Sequence, residues 1–311
     1  MPLLTLKIDA DTYRGTREGV PNLVRLLGRH GARATFLFSL GPDHTGWALR
    51  QVLRPGFFSK VSRTSVLEHY GLKTLLYGVL LPAPDIGKTC ADTMRAVRAA
   101  GHECGIHTWD HRVWQDHVQQ RDAAWTQKIM QRSFDRFVDI FGAAPATHGA
   151  AGWQMNAHAL RQLDIFGMAY ASDGRAMLTE SGALADPEAG PHRLQVDGET
   201  LACVQLPTTL PTLDELLGRT IDGALMTPAS IASHLLRLTE NKRDHVFTLH
   251  AELEGQKLAP IFEQLLQGWR AQGYQFASMA DHYQHVKDQA LPLAAIRFAE
   301  LPGRSGSLLV Q

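Results

Sequence analysis

Apolar and polar positions along this chain alternate between two rhythms. Residues 3–8 form an apolar run of strand length. Residues 20–30 then repeat apolar positions at helical spacing, with Pro21 near the start and Gly31 as a stop. The pairing recurs as a strand over 34–40, a helix over 91–100 stopped by Gly101, a strand over 103–106, and a helix over 123–141 stopped by Gly142. Further strands are predicted near 146–149, 169–172, 202–206, 246–249 and 275–278, with helices at 157–166, 228–240 and 260–272 filling the gaps. Roughly seven or eight βα units with both sheet faces covered predict an α/β fold on a parallel barrel, an open doubly wound sheet being the alternative. Internal repeats and low-complexity stretches are absent.

Two stretches break the rhythm. Residues 41–88 are too many for a βα loop. They mix Trp47, Phe57, Phe58, Tyr70 and Tyr77 with Arg50, Arg54, Lys60, Arg63 and Lys73, against only Asp43, Glu68 and Asp85. Such a mixture predicts an inserted amphipathic helical segment facing membrane or lipid, although a helical cap over the sheet would read the same way. The stretch 292–311 contains Gly and Ser and reads as a loosely attached tail. The expected organisation is one domain over 1–290, carrying the 41–88 insertion, and a C-terminal tail over 291–311.

Composition narrows the class without naming a chemistry. A chain of 311 residues can bury a full core, and its formal net charge of zero gives no nucleic-acid footprint. Cys90, Cys104 and Cys203 form no CxxC and leave one unpaired in any disulfide scheme, as for small buried residues in a reducing compartment. No signal peptide is visible. The longest apolar run, 72–81, contains Lys73 and is about half of spanning length. The expected location is cytoplasmic, with any membrane contact peripheral.

The candidate chemistry lies at the ends of three apolar runs: Asp9 and Asp11, His107 and His111, and His250. With 15 His in 311 residues, about one His-x-x-x-His pair arises from random placement, and the chain holds one, so the count alone carries nothing. Placement carries more, because sheet-based enzymes put their chemistry at strand ends. A divalent metal on Asp11, His107 and His111 would leave positions open for water and a substrate carbonyl. Asp9 lies two residues from Asp11, on the same face of a straight strand, and would take the proton of the water. His250 would protonate the departing amine or alcohol. Read singly, the Asp pair is also what a strand-end turn looks like, and His250 what a core histidine looks like.

With their neighbours these residues resemble the polysaccharide deacetylases of the NodB-homology type, carbohydrate esterase family 4. The supporting segments are Ile8-Asp9-Ala10-Asp11-Thr12-Tyr13-Arg14-Gly15-Thr16-Arg17-Glu18-Gly19-Val20-Pro21, His107-Thr108-Trp109-Asp110-His111, Ala150-Ala151-Gly152-Trp153, Leu206-Pro207-Thr208-Thr209-Leu210-Pro211-Thr212 and Thr248-Leu249-His250-Ala251-Glu252. The first and third are specific, whereas His-Thr-x-x-His alone is not. The resemblance implies a distorted (β/α)7 barrel, with Asp9 as base, Asp11, His107 and His111 as metal ligands and His250 as general acid. It runs to the family members that hydrolyse the N-formyl group of a 4-formamido-arabinose phosphate carried on undecaprenol, releasing formate at the cytoplasmic face of the inner membrane. The free amine then masks lipid A charge on the route to polymyxin resistance. Implied partners are that undecaprenyl-phosphate-linked sugar and the inner-membrane surface, with no nucleic acid. The metal could be Zn, Mn, Co, Ni or Fe by ligand type.

The family's third motif usually carries an Arg that orients the base, and the matching Ala144-Pro145-Ala146-Thr147-His148-Gly149 has none. Arg175 is the expected replacement, with Asp173 orienting Arg175 or His250. Backbone N–H groups of Ala150, Ala151, Gly152 and Trp153 are expected oxyanion donors, and the same loop would keep the acyl pocket narrow. Arg14 and Arg17 are expected to meet the substrate phosphate, although a solvated charged turn would look alike. Two other functions remain open here: a deacetylase of another polysaccharide or glycolipid amide, and a polyprenyl-phosphate binding protein without catalysis. Asp9 and His250 together disfavour the latter.

Overall fold

In chain order the strands are β1 (Leu3–Ala10), β2 (Thr35–Ser39), β3 (Glu103–Thr108), β4 (Thr147–His148), β5 (Tyr170–Ala171), β6 (His192–Val196), β7 (Glu199–Gln205), β8 (Thr220–Ile221), β9 (Ala224–Leu225), β10 (His245–His250), β11 (Gln275–Ala277), β12 (Leu293–Ala295), β13 (Arg297–Glu300) and β14 (Ser307–Val310). The computed structural model describes residues 1–47, 72–304 and 306–311. Ten strands make one sheet in the order β10-β1-β2-β3-β4-β5-β7-β6-β12, with β11 also against β1. Pairing is parallel from β10 through β7, as the alternating strand and helix pattern requires.

The α/β class and mainly parallel sheet hold, but the sheet is open. Among the described residues no strand joins β12 back to β10. The cause lies in β6 and β7, which run antiparallel around an Asp197-Gly198 turn. Such a hairpin needs no crossover helix, so the βα repeat stops there.

All eight residues of β1 are buried, yet its two faces differ. Leu4, Leu6, Ile8 and Ala10 join the main apolar core with Leu23, Leu27, Phe247 and Phe262. Alternation puts Thr5, Lys7 and Asp9 on the other face, equally buried. The long helix Ala123–Phe141 starts where the Asp122 carboxylate accepts from Trp125 N–H and ends at left-handed Gly142.

The looseness expected of 292–311 is corrected. β12 extends the sheet beside β6, β13 pairs with β14, and Leu301, Leu308, Leu309 and Val310 are buried. Apolar side chains at 308–310 drive this. Of the expected insertion 41–88, residues 48–71 lie outside the described residues, and with them Arg50, Arg54, Phe57, Phe58, Lys60, Arg63, Glu68 and Tyr70. Its described ends come together: Pro42 bridges Asp85, and the Trp47 indole N–H donates to the Gly78 carbonyl at 2.9 Å.

Candidate metal and acid–base site

Parallel pairing brings the carboxyl ends of β10, β1, β2 and β3 to one edge, which sets Asp9 directly opposite His250. Asp11 follows the end of β1, and His107 lies in β3. His111 is the first residue of the helix His111–His117, whose start is fixed by the Asp110 carboxylate accepting from Val113 N–H. The His-x-x-x-His pair thus spans a strand end and a helix start.

Nε2 of His107 lies 3.1 Å from Asp11 Oδ1, and Nε2 of His111 lies 3.4 Å from Asp11 Oδ2. The three residues offer ligand atoms all within 4.8 Å of one another. His107 Nδ1 sits 2.6 Å from the Gly149 carbonyl, which can only accept, so Nδ1 carries the proton and Nε2 presents a lone pair. Two acceptors then face each other at 3.1 Å, and neither His107 Nε2 nor Asp11 Oδ1 has a hydrogen-bond partner although both are buried. A divalent cation between them satisfies both atoms, and an Asp-His-His set suits one. Burial opposes ionisation of Asp11, but His111, His107 and His250 outweigh it and hold the carboxyl below its usual range. Burial pushes His111 down to about 4, leaving a neutral imidazole fit to ligate.

Glu252 holds the turn that presents Asp11. Its Oε1 accepts from Asp11 N–H at 3.0 Å, Thr12 N–H at 2.7 Å and the Thr12 hydroxyl at 2.8 Å. The side chain passes over Gly15, where a Cβ would fall 1.9 Å from Oε1.

Asp9 stands beside the ligand set. One oxygen, Oδ2, lies 3.4 Å from Lys7 Nζ; the other, Oδ1, is buried without a hydrogen-bond partner. Lys7 also donates to the Ser172 carbonyl at 3.1 Å and sits 5.1 Å from the Trp153 ring centroid. Half-buried His250 lies opposite, its backbone N–H donating to Glu254 Oε2 at 2.8 Å. Its Nδ1 is 3.8 Å from Asp214 Oδ1.

The structure therefore brings Asp9, Asp11, His107, His111 and His250 together and moves other expected residues elsewhere. Arg175 does not serve Asp9: it is fully buried, donates to Glu215 Oε2 at 3.0 Å and the Leu210 carbonyl at 3.2 Å, and packs on Trp153. The cation beside Asp9 is Lys7, on the same strand. Asp173 orients neither Arg175 nor His250; it pairs with His148 Nδ1 at 2.6 Å and Gln205 Nε2 at 3.2 Å. The Trp153 N–H donates to the Ala150 carbonyl within the turn Ala151–Trp153, which withdraws it from the oxyanion donors. Arg14, just before the turn Gly15–Gly19, bonds Glu18, and Arg17 within that turn bonds the Tyr13 hydroxyl. Sequence reasoning gives Lys7, Asp214 and Glu252 no role: Lys7 lies inside an apolar run, Asp214 lies in no quoted segment, and Glu252 appears only as a neighbour of His250.

The family described as polysaccharide deacetylase matches residues 4–171. A Shewanella sediminis protein named probable 4-deoxy-4-formamido-L-arabinose-phosphoundecaprenol deformylase is 34% identical over 304 residues, covering 97% of this chain and 92% of its own length. A Wigglesworthia glossinidia brevipalpis protein of the same name is 29% identical, covering 96% and 98%. In fold, a solved Mycobacterium smegmatis structure assigned to the polysaccharide deacetylases superposes with a TM-score of 0.61 at 18% identity, over 97% of this chain and 99% of that one.

Proposed function

The chain belongs to the polysaccharide deacetylase family, and from that premise we propose that it hydrolyses the N-formyl group of 4-deoxy-4-formamido-L-arabinose phosphoundecaprenol, the substrate in its relatives' names. The observation that carries the reading is the separation of roles in one site. Asp11, His107 and His111 converge as a ligand set, while Asp9 and His250 sit opposite each other outside it.

Asp9 takes a proton from the attacking water as its oxygen bonds to the formyl carbon, and Lys7 offsets the charge of the ionised carboxylate beforehand. The carbon–nitrogen bond then breaks while His250 delivers a proton to the departing nitrogen, because an amine leaves poorly without one. Water and formamide thus become formate and a free 4-amino sugar, and the proton held by Asp9 restores His250 through solvent. A divalent cation on Asp11, His107 and His111 would supply Lewis acidity, acidifying water and drawing charge from the carbonyl. Backbone N–H groups of Ala150, Ala151 and Gly152 are the proposed oxyanion donors.

Arg14 and Arg17, beside the Asp11 loop, are the proposed contacts for the substrate phosphate. The insertion is rooted at the same mouth: Asp43 accepts from Tyr13 N–H at 2.9 Å, and His44 bonds Asp110, the neighbour of His111. Val79 and Leu80 in its described part are exposed by 38% and 75%. No described helix is long and apolar enough to cross a membrane. A carrier lipid would therefore be met at the bilayer surface, and the proposed placement is peripheral on the cytoplasmic face. The amine released there would go on to reduce lipid A negative charge and so lower polymyxin binding.

The test is formate release from the formamido-arabinose lipid in vesicles, with and without chelator, with pelleting of protein alongside the vesicles read in the same samples. Turnover is expected to vanish with chelator, and Asp9→Ala and His250→Ala each to lower kcat by about 10²–10⁴-fold. Acetate released in preference to formate would favour the deacetylase reading. Binding of the lipid without turnover would favour a carrier-binding protein.

A further inference from the structure

We propose that residues 301–304 and 306–311 complete the acid half of the site, with Arg304 as the positioning residue that holds Asp214 against His250; the inference rests on the reading of His250 as proton donor. The segment lies outside the region 4–171 that the family model matches.

Arg304 reaches inward from the turn between β13 and β14. Its Nε donates to Glu215 Oε1 at 2.7 Å, and Nη2 donates to the Thr212 hydroxyl oxygen at 3.2 Å. Nη2 also straddles the Asp214 carboxylate, 3.3 Å from Oδ2 and 3.5 Å from Oδ1. Oδ1 is the oxygen that faces His250 Nδ1 at 3.8 Å, and it accepts from the Thr212 hydroxyl at 2.6 Å. Asp214 Oδ1 is thus fixed by the Thr212 hydroxyl and the Arg304 guanidinium at a position 3.8 Å from the imidazole, beyond hydrogen-bond length but facing it. The guanidinium in turn lies over the Trp153 ring, 4.7 Å from its centroid. Planar stacking with several simultaneous donors is what Arg provides and Lys does not.

The segment is seated firmly enough to act in this way. At Gly303, with φ +87°, a Cβ would fall 2.8 Å from the Glu215 carbonyl, so the turn presses directly on the residue next to Asp214. The Gln154 and Gln119 side-chain amides both donate to the Ser307 carbonyl at 2.9 Å. Arg175 N–H donates to the Leu309 carbonyl at 2.9 Å, and Gln311 N–H donates to the Arg175 carbonyl at 3.0 Å. Charge gives the same answer. Asp214 and Glu215 are adjacent carboxylates served by Arg175 and Arg304, and Arg175 reaches Glu215 alone among the two. Without Arg304, Asp214 would turn from His250 toward solvent, away from its negative neighbour.

Two readouts test this in the full-length metal-loaded enzyme. Arg304→Met is expected to lower kcat on the formamido sugar by about 10–100-fold, part of the usual worth of a general acid, with KM and metal affinity within about twofold. An aryl acetate leaves without needing a proton, so the ratio of ester to amide turnover should rise by the same order. Arg304→Lys should recover part of the loss. In the ¹⁵N spectrum of His250, the wild type should show Nδ1 protonated and Arg304→Met a mixture of tautomers. An equal loss on both substrates, or an unchanged His250 spectrum in Arg304→Met and Arg304→Lys alike, would overturn the proposal. Were the wild type to release no formate, the proposed function would fail, and the His250 spectrum would still decide the role of Arg304.

Discussion

Lys7 is an ammonium group with no surface exposure, held among Asp9, the Ser172 carbonyl and the Trp153 ring. Burial lowers its pKa, and the charges of Asp9 and Asp173 oppose that drop. Lys7 therefore depends on Asp9 to keep its charge. Lys7→Met is expected to strand a buried carboxylate, destabilising the fold by about 3–5 kcal/mol and lowering kcat at least about tenfold. Urea melts and single-turnover rates check both, and a fully active Lys7→Met enzyme would free Asp9 of its partner. The five central residues were legible because the roles proposed for them need specific side-chain types, and each group follows an apolar run. Lys7 was not, because a lysine inside a strand normally marks a solvent face; here that face is a second, polar interior. Arg175 was chosen for its nearness in sequence to the motif lacking an Arg, and only the sheet order shows that β1 supplies the charge itself.

The turn Gly15–Gly19 and the loop after β10 interlock like two flat surfaces. A Cβ on Gly19 would lie 1.9 Å from the Ala251 carbonyl oxygen, a contact no side chain can make. That approach lets Glu252 reach the backbone of Asp11 and Thr12. Gly19→Ala should push the loop outward and destabilise the fold by about 1–3 kcal/mol. Losing the Glu252 clamp should weaken divalent-metal binding by about 10–100-fold. Metal titration into the chelator-stripped protein measures this, and unchanged affinity would sever Glu252 from the site. The stretch from Asp11 to Pro21 had been read for its arginines; its glycines turn out to set the metal turn. Helices and strands of the repeating pattern were readable, β4 and β5 included, whereas β8 and β9, with two residues each, carry no period to read. β6 was missed although its Asp-Gly turn was a usable hairpin signal.

Across the whole molecule, the end of the chain is fastened to its middle by a buried charge cluster. Burial opposes ionisation of Glu215, but Arg175 and Arg304 outweigh it and hold the carboxyl at about 2, against an ordinary 4.5. A depressed carboxyl stabilises the fold above its unfolded pKa, and that contribution fades as pH falls from about 4.5 to about 2. It amounts to about 3 kcal/mol at neutral pH. The stability gap between wild type and Glu215→Gln should therefore be widest near pH 6 and narrow toward pH 2.5 in urea melts; a constant gap would show that the charge pair is not responsible. The tail looked detachable in sequence because its length and Gly content resemble a linker, and nothing in one-letter order reveals which cleft Arg304 enters. Strand β1 has a related consequence for how the molecule is made. It is synthesised early and sits mid-sheet, yet Asp9 pairs with His250, 241 residues later in the chain. During translation the strand bearing the base waits with one edge bare. Folding dominated by such distant partners is slow and exposes the half-made chain to aggregation, so production at lower temperature or with added chaperone should raise the soluble yield.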